Sequence, residues 1–206
     1  MPKSFSDHER GIIRSRLLQE GNRLFSTYGL RKTSVEEIAL SAKISKGAFY
    51  LFFPSKESLF MEVVEEAEKD FRLEILTIID QPGGTPHARL HHALTKAFSL
   101  WQSIPILQQF NQGELEYISR RVPPESIEQH TRSDMVFAEE LVQRCLSAGI
   151  RIKIDPEEVR DMLYIVFFSV LHKDDLGEGR LEQSINTLLE LLTSYFLGEV
   201  NLPDAK

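Results

Sequence analysis

The stretch TSVEEIALSAKISKGAFYLFFPSKESLF, residues 33–60, restricts the fold of this chain more than any other stretch. Thr33 and Glu36 have the spacing of a capping box, which marks the start of a helix. Apolar residues then recur at helical spacing on both sides of a short break. The pattern predicts one helix over about 34–41, a turn, and a second helix over about 45–52. Two short helices in this order form a helix–turn–helix.

Helix start and stop signals continue along the rest of the chain. Ser6 and Glu9 form another capping box, and Gly29 is expected to end the helix that they begin. Further helices are predicted to start at Ser55, Thr85-Pro86, Pro105, Pro124 and Asp155-Pro156, and the last one to span about 180–197. Only residues 151–154 (RIKI) alternate as a strand does. The sequence therefore predicts an all-α protein of about nine helices.

The net charge of −7 is divided unevenly over the 206 residues. Residues 1–60 contain ten Lys and Arg against six Asp and Glu, a net charge of +4, whereas residues 61–206 contain fourteen against twenty-five, a net charge of −11. A basic amino-terminal part joined to an acidic remainder is expected when one end of a protein meets phosphates. Small domains also differ in charge by chance, so charge alone leaves both interpretations open.

The sequence shows no sign of export or of a membrane span. A single cysteine excludes an internal disulfide framework, and the amino terminus lacks the apolar run of a signal peptide. The longest apolar block, residues 162–171, is about half as long as a membrane-spanning helix. We expect a cytoplasmic protein with no membrane partner. Cys145 is expected to be a buried apolar residue rather than a redox sensor.

Residue patterns typical of enzymes and metal sites are missing from the sequence. It contains no nucleophile motif, no glycine-rich phosphate loop and no ligand spacing typical of a metal. His87 and His91 are four residues apart on a predicted helix, with His92 adjacent, but no third ligand lies near them in the sequence. We therefore predict no enzyme activity, no metal and no other cofactor.

The second helix of the helix–turn–helix has two different faces. Phe49 and Phe53 are four residues apart and are predicted to face the core. Lys46, Gly47 and Tyr50 share the opposite, exposed face. Lysine reaches a phosphate or a guanine edge, glycine allows the backbone to approach closely, and a tyrosine hydroxyl can bond a phosphate oxygen. This exposed face suits a groove of DNA.

The same stretch resembles the DNA-binding signature of the TetR family of transcriptional regulators. The signature is of the type T-x-x-x-I-A-x-x-A-G-V-S-x-G-x-x-Y-x-x-F-x-x-K-x-x-L, and it matches over nearly thirty residues with fixed spacing. The matching residues are Thr33, Ile38, Ala39, Ala42, Ser45, Gly47, Tyr50, Phe53, Lys56 and Leu59. The resemblance covers about the first 62 residues, and the rest of the chain agrees only in helix content and length.

The resemblance implies which residues contact DNA. In this family a three-helix amino-terminal domain places the second motif helix in the major groove, and the implied DNA-binding residues are Thr33, Ser45, Lys46, Gly47, Ala48, Tyr50, Leu51, Phe52 and Lys56. Lys43 replaces the usual turn glycine, so either the turn avoids a positive φ or its backbone is strained. Phe52 replaces a usual histidine or tyrosine, which can remove one polar contact to DNA.

The resemblance also implies two domains and a homodimer. Residues 1–54 are expected to form the DNA-binding domain, and residues 55–206 a larger helical domain for ligand binding and dimerisation. Two half-sites on DNA require two recognition helices at a fixed distance. The last two long helices are the expected dimer interface, through Met162, Val166, Phe167, Val170, Leu188, Leu192 and Phe196. Burial of these side chains within one protomer is the alternative.

Aromatic residues of the middle helices are the candidate ligand pocket, although such residues often form plain core. They are Phe98, Trp101, Phe110, Tyr117, Phe137 and Tyr164. The resemblance implies a sequence-specific transcriptional regulator, in the family's usual mode a repressor, released from its double-stranded DNA operator by a small-molecule inducer. The alternative is a helical ligand-binding protein that has lost specific DNA binding.

Overall fold

The computed structural model describes residues 5–108, 112–169 and 178–200, and these residues contain ten helices and no strand. The helices are α1 (Asp7–Lys32), α2 (Val35–Ser41), α3 (Lys46–Phe49), α4 (Lys56–Asp80), α5 (Pro86–Ser103), α6 (Pro105–Gln108), α7 (Gln112–Arg121), α8 (Pro124–Ser147), α9 (Pro156–Phe168) and α10 (Glu178–Phe196). The predicted all-α class is confirmed. Residues 151–154 form no regular element, and the backbone N–H of Lys153 donates to the carbonyl of Phe196 at 2.7 Å.

Side-chain capping sets several helix ends where the sequence predicts them. Ser6 and Glu9 form the capping box of α1. At the start of α9, the Asp155 carboxylate accepts the backbone N–H of Glu158 at 2.9 Å. The backbone of α1 is interrupted at Gly29, whose φ of 77° lies in the region that favours glycine. Local sequence therefore determines where these helices begin and break.

The capping box predicted for α2 is wrong by one residue. Ser34 is the N-cap: its hydroxyl accepts the backbone N–H of Glu37 at 3.2 Å, and the Glu37 carboxylate accepts the backbone N–H of Ser34 at 2.8 Å. Thr33 is buried instead, and its hydroxyl donates to the carbonyl of Gly29 at 2.8 Å. The sequence contains both T-x-x-E and S-x-x-E at this point. The break at Gly29 decides between them, because it leaves a carbonyl for Thr33 to bond.

The described residues within 1–68 and 104–128 form one compact unit. Helices α2, α6 and α7 pack against α1. The largest fully buried side chains of this unit are Leu17, Phe25, Leu30, Ile38, Phe49, Leu59 and Ile106. Gly21 allows close helix packing here, because a Cβ added to it would lie 3.0 Å from Cδ2 of Leu59. This core fixes the helix–turn–helix in place.

The described residues within 69–103 and 129–206 form a second compact unit. Helices α5 and α9 both contact α10. Cys145 is fully buried in this unit, and burial raises the pKa of its thiol to about 12. The prediction that this cysteine is a core residue is confirmed. A thiol with such a pKa stays protonated at neutral pH and lacks the reactive thiolate form.

These two units do not coincide with the predicted division at residue 54, since residues 55–68 and 104–128 join the amino-terminal helices. The division of function between residues 1–54 and 55–206 is a different matter and stays a prediction. Within the described ranges, no helix is both long enough and apolar enough to cross a membrane.

Candidate nucleic-acid interface

Helix α3 presents the predicted recognition face to solvent. Phe49 and Phe53 are buried, with ring centroids 6.0 Å apart, and they pack the inner side of the helix against the core. Lys46, Gly47 and Tyr50 lie exposed on the other side. The predicted core and exposed faces are confirmed, but the helix is only four residues long. From Tyr50 the chain continues as a turn, in which the next backbone N–H groups bond carbonyls three residues back.

Two exposed leucines widen this surface. Leu51 lies two residues after the end of the recognition helix and is exposed, and Leu40 on α2 is 79% exposed. Exposed apolar side chains on a DNA-facing surface can contact thymine methyl groups. Leu40 is not among the DNA-binding residues predicted from the sequence. Its position on α2 could have indicated this exposure, because it directly follows Ile38 and Ala39, which form the buried side of that helix.

The ammonium of Lys46 forms a short ion pair with the Glu36 carboxylate of α2. Through this hydrogen bond, Lys46 lowers the pKa of Glu36, and Glu36 raises the pKa of Lys46, so both groups are charged at neutral pH. Both side chains are mostly exposed, so water screens the pair and it contributes little to stability. Lys46 can exchange this carboxylate for a phosphate or a guanine edge.

The turn between α2 and α3 contains Lys43 with a φ of 60°. Among the described residues, it is the only one other than glycine with a positive φ. Of the two alternatives for this position, the strained one is therefore correct. The turn keeps the geometry that glycine normally provides, and lysine occupies it at an energetic cost.

Three further DNA-binding candidates have defined structural partners near α3. The hydroxyl of Ser45 caps the helix by accepting the backbone N–H of Ala48 at 3.1 Å. The ring of Phe52 lies 6.0 Å from that of Phe5 and 5.3 Å from the Arg10 guanidinium, measured between centres. Phe52 therefore packs against the start of α1. DNA contact by Ser45, Ala48 and Phe52 stays a prediction.

Thr33 and Lys56 are engaged within the protein. Thr33 is buried, as described above. The Lys56 ammonium donates to the carbonyls of Leu30 and Thr33 at 2.7 and 2.8 Å, and to that of Arg31 at 3.3 Å. A cation at the end of α1 satisfies carbonyls that lack a helical partner and complements the helix dipole. The direct role of these two side chains in DNA binding stays a prediction.

The predicted ligand-pocket residues do not form one group. Phe98 and Trp101 join an aromatic cluster in the second unit, with Phe167 at 6.2 and 5.0 Å from their ring centres and Phe71 at 5.9 Å from that of Trp101. Tyr117 belongs to the first unit. Phe137 stacks on the Arg72 guanidinium, and Tyr164 is exposed on α9. Phe110 is outside the described residues.

The predicted dimer residues are also divided. Val166 and Phe196 are buried within the protomer, and Phe167 is central to the aromatic cluster. Met162 and Leu192 are half-buried, Leu188 is exposed, and Val170 lies outside the described residues. The large apolar side chains that α9 and α10 leave exposed are Tyr164, Ile165, Leu188 and Leu191. Single-chain burial thus accounts for part of the predicted set, and an exposed apolar surface remains.

The two histidines considered as metal ligands pair with carboxylates. His87 lies 2.7 Å from Glu199 and 3.0 Å from Glu190, and His91 lies 3.1 Å from Glu190. Hydrogen bonding, first to Glu199 and then to Glu190, raises the pKa of His87. These contacts join α5 to α10 and to the segment after it.

The fold and the exposed face of α3 define a helix–turn–helix protein of the DNA-binding type, with a larger helical part. Residues 17–63 match the family described as bacterial regulatory proteins, tetR family. The helix–turn–helix and the helices that flank it are therefore similar to those of the TetR family of transcriptional regulators.

Relatives agree with this assignment. The chain is 35% identical over 103 residues to the uncharacterised HTH-type transcriptional regulator YuxN of Bacillus subtilis, a match that covers 49% of this chain and 35% of YuxN. It is 22% identical over 185 residues to the HTH-type transcriptional repressor DhaR of Mycobacterium sp. strain GP1, covering 89% of this chain and 93% of DhaR.

A solved structure shares the fold over most of the chain. Thermus thermophilus FadR, a TetR-family repressor in complex with lauroyl-CoA, superposes with a TM-score of 0.64 at 22% identity, covering 94% of this chain and 98% of that one. The similarity therefore extends beyond the helix–turn–helix to the helical remainder.

Proposed function

We propose that this protein is a cytoplasmic transcriptional repressor that binds double-stranded operator DNA as a homodimer and is released by a small molecule. One observation carries the DNA-binding part. Phe49 and Phe53 are buried and hold α3 in place, while Lys46, Gly47 and Tyr50, the residue that follows the helix, face solvent together. Lys46 reads bases or phosphates, Gly47 lets the backbone approach the groove, and Tyr50 bonds a phosphate. The match of residues 17–63 to the tetR family and the similarity of the chain to the repressor DhaR support the regulatory role.

Gly47 separates the needs of the fold from those of DNA binding. A Cβ added there would meet only the Ser45 hydroxyl, at 4.0 Å, so alanine fits the folded protein. Alanine is also favoured over glycine inside a helix by about 1 kcal/mol. Against DNA, the same methyl group occupies the space that the groove needs. Gly179→Ala on α10 is the matched control, because its added Cβ has no atom within 4 Å.

The experiment uses duplexes selected by the wild-type protein from a random-sequence pool. We expect Gly47→Ala to lose about tenfold or more in affinity for them, since each lost base contact costs about 1–3 kcal/mol. Gly179→Ala should bind like the wild type, and neither variant should melt at a lower temperature than the wild type. Lys46→Ala should lose discrimination between selected and random duplexes. If the wild-type protein selects no sequence even at low salt, it is a ligand-binding protein without specific DNA binding.

The inducer is proposed to be small and largely apolar and to bind in the second unit beside Phe98 and Trp101. The aromatic cluster of these residues with Phe71 and Phe167 supports this, because ligand sites are lined mostly by such side chains. Trp101 is the only tryptophan of the chain, so its fluorescence reports on this cluster alone.

Lauroyl-CoA and lauric acid serve as probes for this site. We expect a saturable change in Trp101 fluorescence at the concentration that releases selected DNA, and a weaker response in Phe167→Ala. The ligand can lower the affinity for DNA only as far as it binds the DNA-free conformation more tightly than the DNA-bound one. Release of DNA by coenzyme A without an acyl chain, with unchanged fluorescence, contradicts an apolar site at Trp101.

A further inference from the structure

A basic cleft in the first unit lies outside the recognition helix. It has a volume of about 360 Å³ and lies where the end of α1, the start of α4 and the end of α7 come together. The side chains that matter here are Arg31, Lys32, Tyr50, Lys56, Tyr117 and Arg121. Arg121 comes from α7, far along the chain from the helix–turn–helix signature.

The cleft has an excess of positive charge. Among the described side chains that line it, four cations face one carboxylate, that of Glu57, which is buried and accepts the Tyr117 hydroxyl at 2.9 Å. Lys56 is occupied by backbone carbonyls. Arg31, Lys32 and Arg121 are exposed, and no carboxylate among the described side chains lies within ion-pair distance of any of them.

Tyr117 holds the cations together. Its ring centre lies 5.4 Å from the Arg121 guanidinium, 5.9 Å from that of Arg31 and 5.8 Å from the Lys56 ammonium. Each contact is within the range of a cation–π interaction. Holding three like charges around one ring raises their mutual repulsion, and a bound anion relieves it. The arrangement therefore favours an anionic partner.

The position of Tyr50 indicates which anion. Tyr50 lies on the exposed recognition face and also lines the cleft, so the two surfaces are continuous. A duplex that contacts Tyr50 on the recognition face therefore also meets the rim of the cleft. An open groove with charges on its rim suits such an extended polyanion, whereas small ligands favour sites that enclose most of their surface.

We infer that Arg31 and Arg121 bind the DNA phosphate backbone beside the operator, which gives α7 a direct part in DNA binding. This rests on the proposed function as a DNA-binding regulator. Contacts to phosphate add affinity and salt dependence but carry no sequence information. They therefore have a signature different from that of Lys46.

The test measures affinity for the selected duplexes and for random duplexes as a function of salt concentration. For Arg31→Gln and for Arg121→Gln we expect the slope of log affinity against log salt to fall in magnitude by about 0.9 each, and affinity near 0.2 M salt to fall about fourfold each. The ratio between selected and random duplexes should stay unchanged. Arg121→Lys should keep the slope, because it keeps the charge.

Arg120→Gln is the matched control, since Arg120 is adjacent to Arg121 but pairs with Glu116 at 2.5 Å. Its slope should equal that of the wild type.

A wild-type slope in Arg31→Gln and Arg121→Gln overturns the inference and leaves the proposed function intact. Loss of sequence preference in these variants also overturns it, because the arginines then act by positioning α3. Arginine-dependent stabilisation by inorganic pyrophosphate, with normal DNA binding, assigns the cleft to a small anion and overturns it too. Absence of sequence preference in the wild type instead refutes the proposed function.

Discussion

At the scale of single residues, the turn of the helix–turn–helix shows a cost that the fold tolerates. Lys43 adopts a φ of 60° although its side chain disfavours that conformation. Its backbone N–H donates to the carbonyl of Leu40 at 3.1 Å, and the next one, of Ile44, to Ala39 at 2.9 Å. These bonds, together with the buried side chains on either side, hold the turn in this geometry.

Lys43→Gly should therefore stabilise the protein. Relief of the left-handed conformation gains about 1–2 kcal/mol, and the greater freedom of glycine in the unfolded chain takes back about 0.5–1 kcal/mol. We expect a net gain of about 0.5–1 kcal/mol, measured by urea denaturation. Lys43→Ala removes the same charge without relieving the backbone and should give no gain. Equal stability of the two variants contradicts the assignment of strain.

At the scale of elements, two helix ends in the second unit are joined by Arg89 of α5. Its guanidinium donates to the carbonyl of Ala148, just after α8, at 2.6 Å and to that of Ile79, near the end of α4, at 2.8 Å. Both carbonyls lie at the negative ends of helix dipoles, where a cation is favoured. One side chain thus satisfies two helix ends.

Arg89→Ala should lower the stability of the protein by about 2–3 kcal/mol, because two charge-assisted hydrogen bonds are lost and two carbonyls are left without them. Arg144→Ala is the control. Arg144 pairs with Asp80 at 3.0 Å on the surface, and such a pair contributes less than about 1 kcal/mol. The urea midpoints of the two variants test this, and similar losses contradict a special role for Arg89.

The ion pairs of His87 with Glu190 and Glu199 should make the stability of the protein depend on pH. The raised pKa of His87 means that its contribution is complete below the ordinary histidine value of 6.5 and is lost as pH rises through the folded value. We expect His87→Gln to lower the melting temperature more at about pH 5.5 than at about pH 8.5. His92→Gln, an exposed change on the same helix, should show no such difference. If His87→Gln lowers the melting temperature equally at both pH values, these ion pairs do not stabilise the protein.

At the scale of the whole molecule, the exposed apolar residues of α9 and α10 point to a second copy of the chain. Ile165 is 63% exposed and Leu191 is 56% exposed, and such surfaces typically mark interfaces. An operator with two half-sites also needs two linked recognition helices.

Leu191→Glu should therefore convert the proposed dimer into a monomer, because it buries a charge in the proposed interface. Val136→Glu makes the same change at another exposed apolar position, on α8, and should remain a dimer. Light scattering gives the mass of each variant. The affinity of Leu191→Glu for selected DNA should fall as well, because a monomer contacts only one of the two half-sites. If it keeps the dimer mass, the interface lies elsewhere.

The sequence predicts much of the DNA-binding part because the relevant forces are local. Capping, helical periodicity and fixed motif spacing identify α1 to α4 and the exposed side of α3. The same reasoning misplaces the cap of α2, since both Thr33 and Ser34 satisfy the local rule. Lys56 matches the motif and Phe52 departs from it, and packing gives both of them partners on α1.

The aromatic and apolar sets of the regulatory part are less predictable. Phe98, Tyr117 and Tyr164 share a residue type and helical spacing, but only the folded chain shows that they belong to three different environments. The cleft around Tyr117 could not be predicted from the sequence either, because it brings together two arginines that are ninety positions apart, Arg31 and Arg121.

The amino-acid order alone was sufficient for the helical class, most helix limits and the two-sided character of α3, since each depends on neighbours within a few positions. Only the tertiary structure decided which cations already have partners, which apolar side chains stay uncovered and which distant residues meet. Those properties arise from contacts between separate helices, and no local pattern encodes them.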